Sequence, residues 1–257
     1  MFAATAGRHV LPGAARVIAV SDAERKDLRS LGVRESQLAL VPNPIDEEEF
    51  AAPADAERFR ETHGLGSSQF VLFLGKLTPR KGVDILARAF AELDTRGVSL
   101  VVAGNDMGSG RDIDGVVAGL GIASRVRRVG LLRGDDRRSA LEAASVVVYP
   151  SREEVFGLVP LESLLSGTPV VVSGDSGCGE VIGRVGGGHI VPYGDVRALA
   201  GAIDAILRAP EPWRVRAGKA AARIRTLFGS AVIARQLEAL YAEVCAAPCA
   251  PPGKALT

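Results

Sequence analysis

Residues 149–173, YPSREEVFGLVPLESLLSGTPVVVS, contain the most informative pattern in the chain. An apolar strand ends at Tyr149, and Pro150 breaks it. Leucines then recur at helical spacing across 158–165, and the apolar run 170–173 predicts another buried strand. The pattern is strand, loop, helix, strand, which is the repeating unit of a parallel α/β sheet.

Two carboxylates flank the start of this predicted helix, with seven residues between Glu154 and Glu162. The intervening segment supplies the first helical amides, from Phe156, Gly157, Leu158 and Val159. Such amides have no partner within the helix and favour an anion, most naturally a diphosphate. The two acids would accept hydrogen bonds from hydroxyls on either side, which is the chemistry of a nucleotide sugar. The alternative is that Glu154 is a solvated acid in a loop and Glu162 is a polar residue on the exposed face of the helix.

A second anion-binding pattern follows the apolar strand 70–74, in the segment GKLTPRKG at 75–82. A glycine-containing basic loop between a strand and a helix is typical of phosphate binding, although such lysines are also common on solvated surfaces. The candidate residues are Gly75, Lys76 and Lys81. Glycine loops also follow the apolar runs that end near Gly104 and Gly130. Because parallel strands end at one edge of a sheet, the loops predict a single nucleotide-diphosphate site there.

Composition indicates a soluble globular protein with 47% hydrophobic residues and a formal net charge of +1. This balance gives no reason to expect nucleic acid as a partner. Three cysteines without metal-ligand spacing predict a reducing cytoplasm, with neither a disulfide framework nor a zinc site. No apolar run approaches the ~20 residues that span a bilayer. The segment 1–13 lacks the apolar region of a signal peptide.

A basic run at 125–138 leaves contact with a membrane surface open. Its members are Arg125, Arg127, Arg128, Arg133, Arg137 and Arg138. Such runs are more often solvated faces, so we expect a cytoplasmic protein, at most peripheral to the inner face of a membrane.

The central segment EVFGLVPLE followed by SLLSGTPVV resembles the retaining glycosyltransferases of family 4. That family has two glutamates separated by seven residues, then a helix and a Gly-x-Pro-Val-Val strand. The segment 75–82 resembles the family's G-R-x-x-x-x-K-G, with Lys76 in place of the usual arginine. Lysine keeps the charge but loses the bidentate fork of arginine. The resemblance covers roughly Val17 to Val244.

The resemblance implies the donor-binding, Rossmann-like half of a GT-B fold, with a residual β-α-β piece of a second domain. The expected fold class is therefore α/β, with a doubly wound parallel sheet. The implied segments are a remnant of the N-terminal acceptor-binding domain at 1–46, a linker with a short helix at 47–68, the donor-binding domain at 69–228, a crossing helix at 229–245 and a disordered tail at 246–257.

The implied activity is transfer of a hexose from a nucleotide diphosphate sugar to a hydroxyl of a glycan, lipid or small molecule. Anomeric configuration would be retained, with no metal and no cofactor. Lys76, Lys81 and the helix amides would stabilise the leaving diphosphate. Glu154 would bind the donor sugar and Glu162 the ribose, while the loop at Leu131 would contact the base.

Two other classes of function stay open. The chain could be a nucleotide-sugar-binding module that is inactive without a partner chain carrying the N-terminal domain. In that case the apolar surface of 17–42 would be unpaired until the partner covered it. A sugar-nucleotide epimerase on the same fold is the third class, and the central motif counts against it. The base, the sugar, the acceptor, the oligomeric state and whether the chain is a fragment stay open.

Overall fold

The protein is represented by a computed structural model that describes residues 10–246. The expected disordered tail, apart from Ala246, and most of the segment inspected for a signal peptide lie outside this range. The strands are β1 (Val17–Ala19), β2 (Leu38–Leu40), β3 (Phe70–Leu74), β4 (Ser99–Ala103), β5 (Val126–Gly130), β6 (Val146–Tyr149), β7 (Val170–Ser173) and β8 (Gly188–Val191). The helices are α1 (Asp22–Ser30), α2 (Ala56–Thr62), α3 (Val83–Ala91), α4 (Gly110–Gly119), α5 (Gly134–Ala143), α6 (Leu158–Leu165), α7 (Gly177–Val185), α8 (Val196–Arg208), α9 (Pro210–Phe228) and α10 (Ser230–Ala246).

Six strands form one parallel sheet in the order β5-β4-β3-β6-β7-β8. The prediction of a doubly wound parallel α/β sheet is confirmed. Strand order reverses between β3 and β6, where Val71 pairs with Val146 and Leu72 with Val147. A ligand crevice opens at such a reversal, beyond the carboxyl ends of the two strands.

Both faces of the sheet are covered, because the side chains of each central strand alternate between two cores. Phe70 and Leu72 belong to the core that includes residues of α5, α6 and α9, whereas Val71 and Phe73 belong to the core with α3 and α8. All five residues of β3 are buried. This explains why the strand has an unbroken apolar sequence rather than an alternating one.

The segment expected to be a linker packs into the first of these cores. Phe50, Phe59 and Leu65 are buried in the cluster that contains Phe70. The Arg60 guanidinium lies 5.2 Å from the centroid of the Phe70 ring. Residues 47–68 therefore pack against the six-stranded sheet.

The N-terminal piece is a parallel pair, β1 and β2, joined by α1. Glu180 of α7 accepts hydrogen bonds from the amides of Asp22 and Ala23, both at 3.1 Å, and so caps α1 from the larger domain. Helix α10 returns to this piece, where Glu243 forms an ion pair with Arg16. Ile18 is 37% exposed while its neighbours in β1 are buried, so only part of the apolar surface expected here is open.

Three of the six arginines in the run at 125–138 pair with acids. Arg128 lies 2.8 Å from Asp114, and Arg138 lies 2.8 Å from Asp135. Arg137 forms a buried pair that belongs to the candidate site below. Among residues 10–246, no helix is both long enough and apolar enough to cross a membrane. Membrane contact stays a prediction.

The loops after β3, β4 and β5 approach each other backbone to backbone. The amide of Gly75 donates to the carbonyl of Ala103 at 3.0 Å, and the amide of Gly104 donates to the carbonyl of Gly130 at 2.7 Å. A Cβ at Gly104 would lie 1.7 Å from the Gly75 carbonyl oxygen, and the φ of Gly104 is +146°. Glycine is required at this position because no side chain fits.

We expect Gly104→Ala to lower the free energy of unfolding by more than about 3 kcal/mol, because the loops must separate to admit the methyl group. Gly115→Ala is the matched control, since nothing lies within 4 Å of its Cβ position in α4. There, alanine should stabilise by about 0.5–1 kcal/mol. Urea unfolding of the two variants measures both effects. Equal stability of the two would contradict the close approach.

Candidate active site

A cavity of about 670 Å³ opens at the point where strand order reverses. The β3 loop supplies one wall and the loop after β6 supplies the other. Its lining residues are Gly75, Lys76, Thr78, Pro79, Arg80, Lys81, Tyr149, Arg152 and Glu154. Four of these are cations, so the cavity suits an anionic ligand.

Lys81, Glu154 and Tyr149 form one hydrogen-bonded cluster inside the cavity. The Lys81 ammonium donates to Glu154 Oε2 at 2.5 Å and also to the Tyr149 hydroxyl. The hydroxyl donates to the same carboxylate oxygen at 3.3 Å. The predicted lysine and the predicted acid therefore meet, although they come from different loops.

Backbone contacts hold the loop that carries Glu154. The Arg80 guanidinium donates to the carbonyl of Glu153 at 2.8 Å, and the amide of Arg152 donates to the carbonyl of Arg80 at 2.9 Å. Glu153 has a φ of 53°, which is uncommon outside glycine. On the other side, the amide of Cys178 donates to the carbonyl of Glu154 at 3.0 Å. The Glu154 carboxylate is thus placed by contacts on both sides of the loop.

Cys178 is a packing residue in this arrangement. Its side chain is 2% exposed, and burial is the main cause that raises the pKa of its thiol far above the usual range. A buried neutral thiol is not a nucleophile. A Cβ at Gly157 would lie 2.6 Å from the Cys178 sulfur, so the glycine lets the two loops meet.

Helix α6 follows the loop that carries Glu154, and no side chain caps its N-terminus. Gly157 is the N-cap residue, with a φ of 82°. Phe156 is 3% exposed and packs edge-on against Phe228, so its side chain anchors the turn rather than facing a ligand. Leu158, at 40% exposed, projects outward. What this turn, including Val159, offers an anion is its backbone amides.

Glu162 lies one turn into α6, where it is buried against Arg137 of α5. Arg137 donates to Glu162 Oε1 at 2.6 Å, and its other terminal nitrogen donates to both carboxylate oxygens of Glu49, at 2.7 and 2.8 Å. Glu162 Oε2 is buried and has no hydrogen-bond partner. Burial raises the pKa of Glu162, and the Arg137 charge partly opposes that shift. One carboxylate oxygen is therefore anchored, and the other is buried without a hydrogen-bond donor.

Leu131 lies in a neighbouring cavity of about 470 Å³ at the same edge of the sheet. The residue is 53% exposed and follows directly after β5. The cavity is also lined by Ala54, Arg58 and Val129. The contact of Leu131 with a base stays a prediction.

Three residues outside the predicted site hold the predicted ones in place. They are Arg137 of the basic run, Glu49 of the expected linker, and Tyr149. Arg137 pairs with both Glu162 and Glu49, and the three residues come from distant parts of the chain, so no local pattern reveals the contacts. Tyr149 carried a usable signal, since a tyrosine that ends a buried strand needs a partner for its hydroxyl.

Among the residues described, no three His, Cys, Asp or Glu side chains lie close enough together to hold a metal ion. The expected independence from metal and cofactor stays a prediction.

The chain belongs to the group 1 glycosyl transferases, a family that matches residues 68–209. Residues 2–49 match glycosyltransferase family 4. The family resemblance seen in the sequence is therefore confirmed.

Several relatives are named D-inositol 3-phosphate glycosyltransferase. The Mycobacterium marinum protein is 34% identical over 78% of this chain and 44% of its own length. The Mycobacterium avium protein is 33% identical over 86% of this chain and 53% of its own length. The chain thus spans about half the length of these relatives.

Solved structures share the fold. Sucrose-phosphate synthase from Thermosynechococcus elongatus superimposes with a TM-score of 0.84 at 31% identity, over 94% of this chain and 61% of that one. Anabaena HepE, in complex with UDP and glucose, gives a TM-score of 0.86 at 24% identity over 94% of this chain and 66% of that one.

We expect Arg137→Met to destabilise the chain by about 3–5 kcal/mol at pH 7, because it leaves a buried carboxylate without its charge partner. Without Arg137 the pKa of Glu162 rises further, since burial then acts almost unopposed. A raised folded-state pKa means that stability is lost as pH rises through it. The loss should therefore be smaller near pH 5 than at pH 7.

Urea unfolding at the two pH values checks this expectation. Arg128→Met is the control, because its acid partners are on the surface and the change should cost less than about 1 kcal/mol. An Arg137→Met loss that is the same at both pH values would contradict the burial of Glu162.

Proposed function

We propose that the chain is the donor-binding half of a retaining glycosyltransferase. Its substrate would be a nucleotide diphosphate sugar, and the hexose would pass to an acceptor hydroxyl. The observation that carries the proposal is that Lys76, Lys81 and Glu154 line one cavity at the β3–β6 reversal. The loop that bears Glu154 leads into helix α6, whose N-terminus no side chain caps. A diphosphate at this point would meet positive charge from both loops and from the helix dipole.

In the proposed reaction, the bond between the anomeric carbon and the diphosphate oxygen breaks. A new bond forms from the acceptor oxygen on the same face of the sugar, and the hydroxyl proton passes to the departing diphosphate. Lys81 and the amides of α6 would stabilise the negative charge that grows on the leaving group. Glu154 would hold sugar hydroxyls rather than attack, because a same-face step needs no protein nucleophile.

Glu162 would fix the nucleoside by accepting hydrogen bonds from the ribose. The free, buried Oε2 supports this role, since an unpaired buried acceptor is costly until a donor reaches it. The relatives named D-inositol 3-phosphate glycosyltransferase support transfer to a hydroxyl of a small polyol or sugar.

The second candidate is a nucleotide-sugar-binding module that acts only with a partner carrying the acceptor half. The two-stranded β1–β2 sheet of the described residues favours it, because so small a sheet buries little core of its own. Binding of a nucleotide sugar without its consumption in the presence of acceptors would favour this candidate.

Calorimetric titration with UDP, GDP and ADP, each as the free diphosphate and as its glucose conjugate, tests the donor site. We expect one base to be preferred. Lys81→Ala and Glu162→Gln should each weaken its binding about tenfold, the effect of losing one hydrogen bond to a charged group. Lys26→Ala, an exposed lysine of α1, should leave binding unchanged. No binding by the native chain, or equal affinity in all variants, would contradict the proposal.

We also expect EDTA to leave the affinity of the preferred nucleotide unchanged, because lysines and amides, rather than a metal ion, are proposed to meet the diphosphate. The same titration in Mg²⁺ and in EDTA measures this. A tenfold or larger loss in EDTA would contradict the assigned role of Lys76 and Lys81.

A further inference from the structure

We propose that Tyr149 is a positioning residue, whose hydroxyl holds the Lys81 ammonium in place while Lys81 exchanges Glu154 for the donor diphosphate. The inference rests on the proposed function and adds to it a residue outside the family motif. Tyr149 would act through Lys81 and Glu154, not by contact with the reacting atoms.

The geometry gives the Tyr149 side chain two separate contacts with Lys81. Its hydroxyl accepts a hydrogen bond from the ammonium, and the ammonium also lies 4.5 Å from the centroid of the ring. A cation near an aromatic ring is held electrostatically, and more strongly where water is excluded. Tyr149 is buried in the core, with 4% of the residue exposed, so packing fixes the position of its ring.

The hydroxyl also stays protonated. Burial, and then the nearby Glu154 carboxylate, raise the pKa of Tyr149 far above its usual range. A neutral hydroxyl has one hydrogen to donate and lone pairs that accept. It donates to Glu154 and accepts from Lys81, so the same oxygen orients both charged groups.

The Lys81–Glu154 pair occupies the cavity that the diphosphate would enter. When a diphosphate binds, Lys81 gains a stronger anionic partner, and Glu154 becomes free for sugar hydroxyls. Without Tyr149, only the flexible aliphatic side chain of Lys81 would restrain the ammonium during that exchange. The Tyr149 hydroxyl and ring retain it close to its position, which lowers the cost of ordering Lys81 on the ligand.

Packing does not account for the hydroxyl. Phenylalanine would fill the same core position with the same ring, and burying a hydroxyl without partners is unfavourable. The hydroxyl has partners because Lys81 and Glu154 come from the two loops beside it. Its presence is therefore explained by the charged pair and not by the core.

A double-mutant cycle tests the inference. The tightest binder among UDP, GDP and ADP is titrated into the native chain, Tyr149→Phe, Lys81→Ala and the double variant. Tyr149→Phe should weaken binding about fivefold in the native background, which is less than the loss from Lys81→Ala, and less than about twofold in the Lys81→Ala background. Tyr241→Phe, the same change at a residue 62% exposed on α10, should have no effect.

The outcomes separate this inference from the proposed function. If the native chain binds no nucleotide, both the proposed function and the role of Tyr149 are contradicted. If the native chain binds and Tyr149→Phe has no effect, or the same effect in both backgrounds, only the role of Tyr149 is overturned. A lowered urea midpoint with unchanged affinity would show a purely structural hydroxyl, and would also overturn the inference.

Discussion

The pairing of β3 with β6 sets the position of every loop in the candidate site. Because Val71 pairs with Val146, the loops that leave these two strands start side by side and diverge to opposite sides of the sheet. The divergence of the loops opens the cavity. The adjacency of the strands brings Lys81 within 2.5 Å of Glu154. Glycine loops at the same edge pack backbone to backbone.

The two acids of the central motif are held in different ways, which matches the different roles proposed for them. Glu154 lies in a loop, with 20% of its side chain exposed, and is paired with Lys81. Glu162 lies on a helix, buried, with one oxygen tied to Arg137 and the other unpaired. A partly exposed ion pair suits a group that is proposed to exchange its partner when the donor enters. An anchored carboxylate suits a group that recognises a constant part of the nucleotide.

The local sequence predicts the helices and strands, but it does not predict which distant segments pair with each other. The unbroken apolar runs of β3 and β7 and the leucine spacing of α6 predicted the parallel α/β sheet and the edge that carries the loops. The strand order and the burial of Arg137 depend on pairings between distant segments, which periodicity does not encode. For the same reason, residues 47–68 read as a linker, although Phe59 packs in the core.

In the proposed complex, the cavity at the β3–β6 reversal receives a diphosphate between Lys81 and the first amides of α6. A crystal structure of the chain with its preferred nucleoside diphosphate tests this placement. We expect phosphate oxygens within hydrogen-bond distance of Lys81 Nζ, with the Lys81–Glu154 pair separated and Glu162 Oε2 bonded to the ribose. A nucleotide bound elsewhere, with the Lys81–Glu154 pair intact and Glu162 Oε2 still unpaired, would contradict it.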